Sequence, residues 1–268
     1  MKKIFLCLVA IMLMAAMAAG CGAPAPAEPA QTTAPAQTTP ETQAPATEAS
    51  AETTAPAVAA PSDLVDEAYA QVVGRYYTAL TEQWTEDKYF ENDMSALAAY
   101  YYDGNPLENV GFAYLDLDNN GQNELIIGAI AHADQDPSVF EIWTIADGDP
   151  VMLAQGGSRN RYVMQFPEED NAWYVVNEAS NSAASYAVYS LMLVEGKLEV
   201  TQGILFDASA DEQNPWFMTY DLDWDVSNDE PIDEELANAI LDSNRMYYTA
   251  LEYIPYTNFN EISVRGAA

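Results

Sequence analysis

The chain has 268 residues, 49% of them hydrophobic, and sets 42 acidic side chains against nine basic ones for a formal net charge of -33. A field of that sign disfavours nucleic acid and anionic membrane surfaces, whose phosphates call for clustered Lys and Arg, and it favours divalent metals and cationic ligands. With Cys7 and Cys21 as the only cysteines and His132 as the only histidine, a zinc site built from His and Cys is excluded.

The first segment carries Lys2 and Lys3 ahead of the apolar run Ile4-Phe5-Leu6-Cys7-Leu8-Val9, and the small residues Ala18-Ala19-Gly20 lead to Cys21. A positive start, an apolar middle and small residues before a cut are the features of a secretory signal. The apolar stretch falls short of the roughly 20 residues that a membrane span needs. With the Cys placed where that stretch ends, residues 1–21 resemble the bacterial lipobox. The resemblance implies that residues 1–20 are removed as a signal peptide. It further implies that Cys21 becomes a lipidated first residue, carrying diacylglycerol and a palmitate-type acyl chain, on the extracytoplasmic face of the cell membrane. Ala18 stands where the lipobox usually has Leu, and the alternative is an ordinary signal-peptidase cut after Ala18.

From residue 22 to 62 the composition shifts to Ala, Pro, Thr, Gln and Glu, with eight of the fifteen prolines and no aromatic residue. Such a segment buries too little apolar surface to offset the entropy of ordering, so the lipidated Cys21 is expected to lead into a disordered linker with polyproline II bias. Fully extended it would reach about 130 Å, and as a flexible coil about 40 Å. Residues 63–268 suit a single domain with a real core. They hold 38 acids and seven bases and no cysteine, so folding rests on packing and on any cation the domain binds.

Within the domain, Val65, Tyr69, Val72, Tyr76 and Leu80 recur at helical spacing, predicting a helix from about Asp63 to Trp84 with Ser62 as cap. Residues 93–102 make a second, shorter helix, stopped by the turn-forming run Asp103-Gly104-Asn105-Pro106. From Val110 the period changes. Strand-like runs fall at 111–117, 124–131, 139–145, 151–154, 162–166, 173–177, 185–194 and 198–206, with Asp147-Gly148 and Glu195-Gly196 as hairpin turns. A closing helix is expected from Pro231, with Ile232, Leu236, Ile240 and Tyr247 on its apolar side, ended by Ile254-Pro255. The fold class is therefore α+β, with helices flanking a large antiparallel β-meander sheet or two smaller sheets.

One motif carries specific chemistry. In Asp116-Leu117-Asp118-Asn119-Asn120-Gly121-Gln122-Asn123-Glu124, oxygen side chains fall at positions one, three, five and nine. Gly121 at position six permits a tight turn, and the Gln122 carbonyl can supply position seven. The spacing resembles the calcium loops of FG-GAP and integrin-type repeats and the first half of an EF-hand, and it implies one calcium site formed by Asp116, Asp118, Asn120, Gln122 and Glu124. Position twelve is Ile127 rather than the bidentate Glu of an EF-hand, so a strand-loop-strand site fits better. The alternative is a polar hairpin turn in an acid-rich chain. The run from Asp103 to Gly111 leading into the loop is similar to bacterial surface lipoproteins, which implies an extracytoplasmic location and no particular activity. A second run, Asp221-Leu222-Asp223-Trp224-Asp225-Val226-Ser227-Asn228-Asp229, repeats the acidic spacing, but Val226 replaces the glycine. It reads as a solvated loop before the last helix.

Signatures of catalysis are missing: the sequence has no G-x-S-x-G, H-E-x-x-H, P-loop or dinucleotide fingerprint. The leading expectation is a non-enzymatic lipoprotein anchored to the membrane through its lipid, with a calcium-stabilised domain that binds or adheres to a cell-wall or host glycan or protein. The alternative is an extracytoplasmic carbohydrate-active hydrolase using paired carboxylates. It would need a cleft with two carboxyls about 5–9 Å apart beside an exposed Trp.

Overall fold

The structure is a computed structural model that describes residues 67–130 and 137–259. Cys21, the linker, the expected cap at Ser62 and His132 lie outside the described residues. The first described turn, Glu67–Tyr69, is a 3-10 helix that runs into α1, Ala70–Glu82. The expected stripe is the buried one: Tyr69, Val72, Tyr76 and Leu80 are all at most 4% exposed, joined by Val73 and Ala79. The helix ends where Gln83 turns left-handed, at φ 50°.

Residues 93–102 form no α-helix. Ser95 caps a 3-10 helix, Ala96–Tyr101, instead; its chain direction is fixed by a bond from the Ser95 hydroxyl to the Gly156 carbonyl. Two short helices escaped the sequence reading: α2, Glu86–Phe90, capped by Thr85, and α3, Pro106–Asn109, capped by Asn105 with Pro106 at a first-turn position. Helices of four or five residues carry no apolar periodicity, and only their caps announce them.

The strands are β1 (Val110–Leu115), β2 (Glu124–Ala129), β3 (Val139–Ala146), β4 (Asp149–Gln155), β5 (Asn160–Gln165), β6 (Tyr174–Ser182), β7 (Ser185–Val194), β8 (Lys197–Asp207), β9 (Trp216–Thr219), β10 (Glu230–Pro231) and β11 (Ile254–Pro255). All pair antiparallel in one sheet, in the order β10-β9-β8-β7-β6-β5-β3-β2-β1-β11, with β4 beside β3. The join between the halves is narrow. β4 takes the edge of β3 from Glu141 to Ala146, and β5 touches β3 only through Val139 and Tyr162. The expected hairpin turns are present, with positive φ at both Asp147 and Gly148 and at both Glu195 and Gly196, the twist that matches paired strands.

Three apolar clusters follow from the alternation of side chains along the strands. Phe112, Leu125, Ile127 and Phe140 meet the stripe of α1. On the opposite face, Ile126 and Ile142 share an inner core with Met164, Val175, Tyr189, Leu205 and Phe217 of the second half. The third cluster lies under the last helix, α4 (Glu234–Met246).

The closing helix departs from expectation. Pro231 belongs to β10 and pairs with Phe217, and Asp233 is the cap, accepting from the Leu236 N–H at 2.7 Å. The buried face is Ala237 and Leu241, while Leu236 is 39% exposed, Ile232 precedes the helix and Tyr247 is its C-terminal cap. Ile254-Pro255 forms β11 on β1 rather than a helix stop. Tertiary pairing with β1 and β9 decided these segments over local signals. Among the described residues no helix is long and apolar enough to cross a membrane.

Candidate metal centre

The loop from Asp116 to Asn123 joins β1 to β2, whose closing pair is Leu115 with Glu124. Asn119 and Gly121 both take positive φ, 58° and 89°, which asparagine tolerates and glycine accepts without cost. That backbone lets the chain turn back on its own acids. Asp116 accepts from the N–H of Asn120 at 3.0 Å and of Gly121 at 2.8 Å. Asp118 accepts from the Asn120 N–H at 3.2 Å and from the Asn120 amide at 3.0 Å.

Glu124 closes the loop from below. It is 0% exposed, with Oε2 accepting from the Leu117 N–H and Oε1 from the Thr144 hydroxyl, both at 3.0 Å. Burial raises its carboxyl above the ordinary 4.5, and the nearby Asp118 and Asp116 charges push the same way, while the Leu117 and Thr144 donors pull it down.

One carboxylate oxygen from each of Asp116, Asp118 and Glu124 lies within 4.8 Å of the others. Oxygens on opposite sides of one calcium ion stand about 4.6–5.2 Å apart, twice a bond of about 2.3–2.6 Å, so the three fit a single hard cation. The remaining expected ligands are placed less directly. Asn120 Oδ1 accepts from the Gln122 N–H at 2.7 Å. The Gln122 side chain reaches across to β3, donating to Thr144 Oγ1 at 3.2 Å and the Ile145 carbonyl at 3.1 Å, which leaves its backbone carbonyl as the atom for position seven.

Sequence reasoning missed two supports of the loop, because both depend on long-range pairing. Thr144 orients Glu124 from β3, and the Tyr69 hydroxyl at the head of α1 donates to the Asn123 carbonyl at 3.0 Å. It also missed Glu141, a second carboxylate that is 0% exposed. There Oε1 accepts from the Ser95 N–H at 2.6 Å and Oε2 from Trp143 Nε1 at 2.9 Å. Tyr76 lies beside it and favours its ionised form, although its hydroxyl is not in hydrogen-bonding geometry. The five tryptophans make no exposed platform: Trp143, Trp173 and Trp216 are buried, and Trp84 and Trp224 are half-buried.

Comparison of the chain with protein families, with curated proteins and with solved structures finds no match.

Proposed function

We propose that this protein is a membrane-anchored extracytoplasmic lipoprotein whose acidic domain is stabilised by calcium and serves binding or adhesion. The observation that carries the reading is the convergence of Asp116, Asp118 and Glu124 on one point, in a loop with the oxygen spacing of calcium sites. Asn120 and the Gln122 carbonyl complete the ligand set, and the Gly121 turn gives the loop its curvature. The net charge of -33 adds to it, since a bound divalent cation relieves repulsion that opposes the compact state. The anchor rests on the lipobox-like run ending at Cys21.

Calcium should raise the melting temperature of the protein. A ligand held only by the folded state contributes about 2.7 kcal/mol at a hundred times its Kd. Asp116→Ala and Asp118→Ala should each remove most of the shift assigned to this loop. If magnesium at matched ionic strength reproduces the whole shift, the effect is charge screening and the loop is a turn. For the anchor, Cys21→Ser should release the processed protein from membrane fractions, with the mature end checked by mass spectrometry. Retention of a correctly cut mutant would refute lipid anchoring.

A further inference from the structure

The second acidic loop leaves β9 after Thr219 and returns to β10 at Glu230. Spaced acids alone do not make a site in a chain this acidic. What distinguishes the loop lies beneath it. Tyr189 of β7 is 1% exposed, and its ring crosses Gly203 of β8 towards Thr219 of β9. A Cβ added at Gly203 would stand 2.6 Å from Tyr189 Cδ1 and 2.8 Å from Thr219 Cγ2, so glycine is what lets the ring through. The Tyr189 hydroxyl comes to lie in the field of Asp221, Asp229 and Asp223, buried and without a hydrogen-bond partner. From the loop side, Asp229 turns Oδ2 inward, also buried and without a partner in hydrogen-bonding geometry, although the Thr219 side chain beside it favours the ionised carboxylate. An orphaned buried polar atom costs about 1–3 kcal/mol, and native proteins seldom leave one unmatched.

As Val226 in place of glycine leads one to expect, the second loop does not repeat the left-handed turn that Gly121 gives the first. Val226–Asn228 is a right-handed 3-10 turn capped by Asp225, and Val226 is not among the residues with positive φ. Trp224 and Val226 pack against the inner core, while Asp221, Asp223 and Asp225 between and before them are exposed. A water molecule could answer both orphan atoms but carries no charge, and the Asp229 carboxylate sits in the field of Asp221, Asp223 and Asp225. We propose that this loop is a second cation site, taking a hard divalent ion through the carboxylates of Asp221, Asp223 and Asp229 above the Tyr189 hydroxyl. Among the described residues, the tight convergence of three acidic oxygens occurs only at the first loop. The second site is therefore the weaker.

The test is calorimetric titration of the chelator-treated full chain with calcium as the only divalent ion, at fixed ionic strength set by a monovalent salt. Wild type should bind two ions, the Asp116→Ala/Asp118→Ala variant one, and the Asp221→Ala/Asp229→Asn variant one. Tyr189→Phe keeps the ring over Gly203 and should weaken only the second binding step, by about tenfold, as loss of an outer-shell partner does. Circular dichroism confirms that each variant is folded; Asp221 is exposed and Asn at 229 keeps the shape of Asp. A single ion in wild type that disappears with Asp116 and Asp118, or unchanged stoichiometry in the Asp221/Asp229 variant, overturns the second site. A single ion that survives loss of Asp116 and Asp118 but not of Asp221 and Asp229 upholds it and removes the first.

Discussion

Glu124 opens β2 and Glu141 stands on the neighbouring β3, on opposite faces of the sheet, and each is fully buried with burial raising its carboxyl above 4.5. Their surroundings differ in sign. Around Glu141 gather donors, the Ser95 N–H, the Trp143 indole and the Gln155 amide, so the carboxylate fastens the Ser95 turn to the sheet. Glu124 has two donors and, besides them, the carboxylates of Asp116 and Asp118. A shifted carboxyl therefore does not mark a site by itself; unanswered negative charge beside it is what calls for a cation.

The largest effect should come from Glu141. Glu141→Ala strands the buried Ser95 N–H and Trp143 Nε1–H, each costing about 1–3 kcal/mol, so urea denaturation should show a loss of about 3 kcal/mol or more. Glu141→Gln keeps one acceptor and should cost about 1 kcal/mol, with the calcium response intact. If Glu141→Gln abolishes that response, the two carboxylates are not separate in role and the comparison breaks.

Glu124→Gln should behave in the opposite way. Its amide oxygen can still accept from Leu117 and its nitrogen can donate to Thr144, while one of three facing charges disappears. Calcium-free stability should hold or rise slightly. The calcium-induced gain assigned to this loop, about 2.7 kcal/mol at a hundred times Kd, should vanish. Melting curves with and without calcium give both numbers, and a calcium gain equal to wild type would show that Glu124 is a fastener like Glu141.

Much of this arrangement was legible along the chain, and the rest was hidden for definite reasons. The stripe of α1, the first eight strands and both hairpin turns follow from periodicity and from Asp-Gly and Glu-Gly pairs that accept positive φ. The loop ligands were legible because all lie within nine residues. Thr144, Tyr69 and Glu141 were not, since nothing local tells Thr144 from other strand threonines or says that Glu141 faces inward among Leu125, Ile127 and Trp143. Pro231 misled because a proline suits an edge strand as well as a first helical turn. Val226 was legible as well: a β-branched residue disfavours a left-handed turn, and Val226–Asn228 is a right-handed 3-10 turn.

The smallest effect, and the sharpest on the comparison, is in pH. Both carboxyls have folded values above 4.5, so between 4.5 and the folded value the native state binds more protons than the unfolded one. Each group's contribution is then fully present below 4.5 and is lost as pH rises through its folded value, with a slope of at most about 1.4 kcal/mol per pH unit for one proton. Without calcium, wild type should gain stability relative to Glu124→Gln, and relative to Glu141→Gln, as pH falls through that window. Calcium requires Glu124 ionised, so under saturating calcium acidification competes with the ion and the first difference should change sign. The Glu141 difference should keep its sign, because no cation is held there. Denaturation of the three proteins from pH 7 to pH 4.5, with and without calcium, measures both slopes, and a Glu124 difference of unchanged sign would mean that this carboxylate does not face the ion.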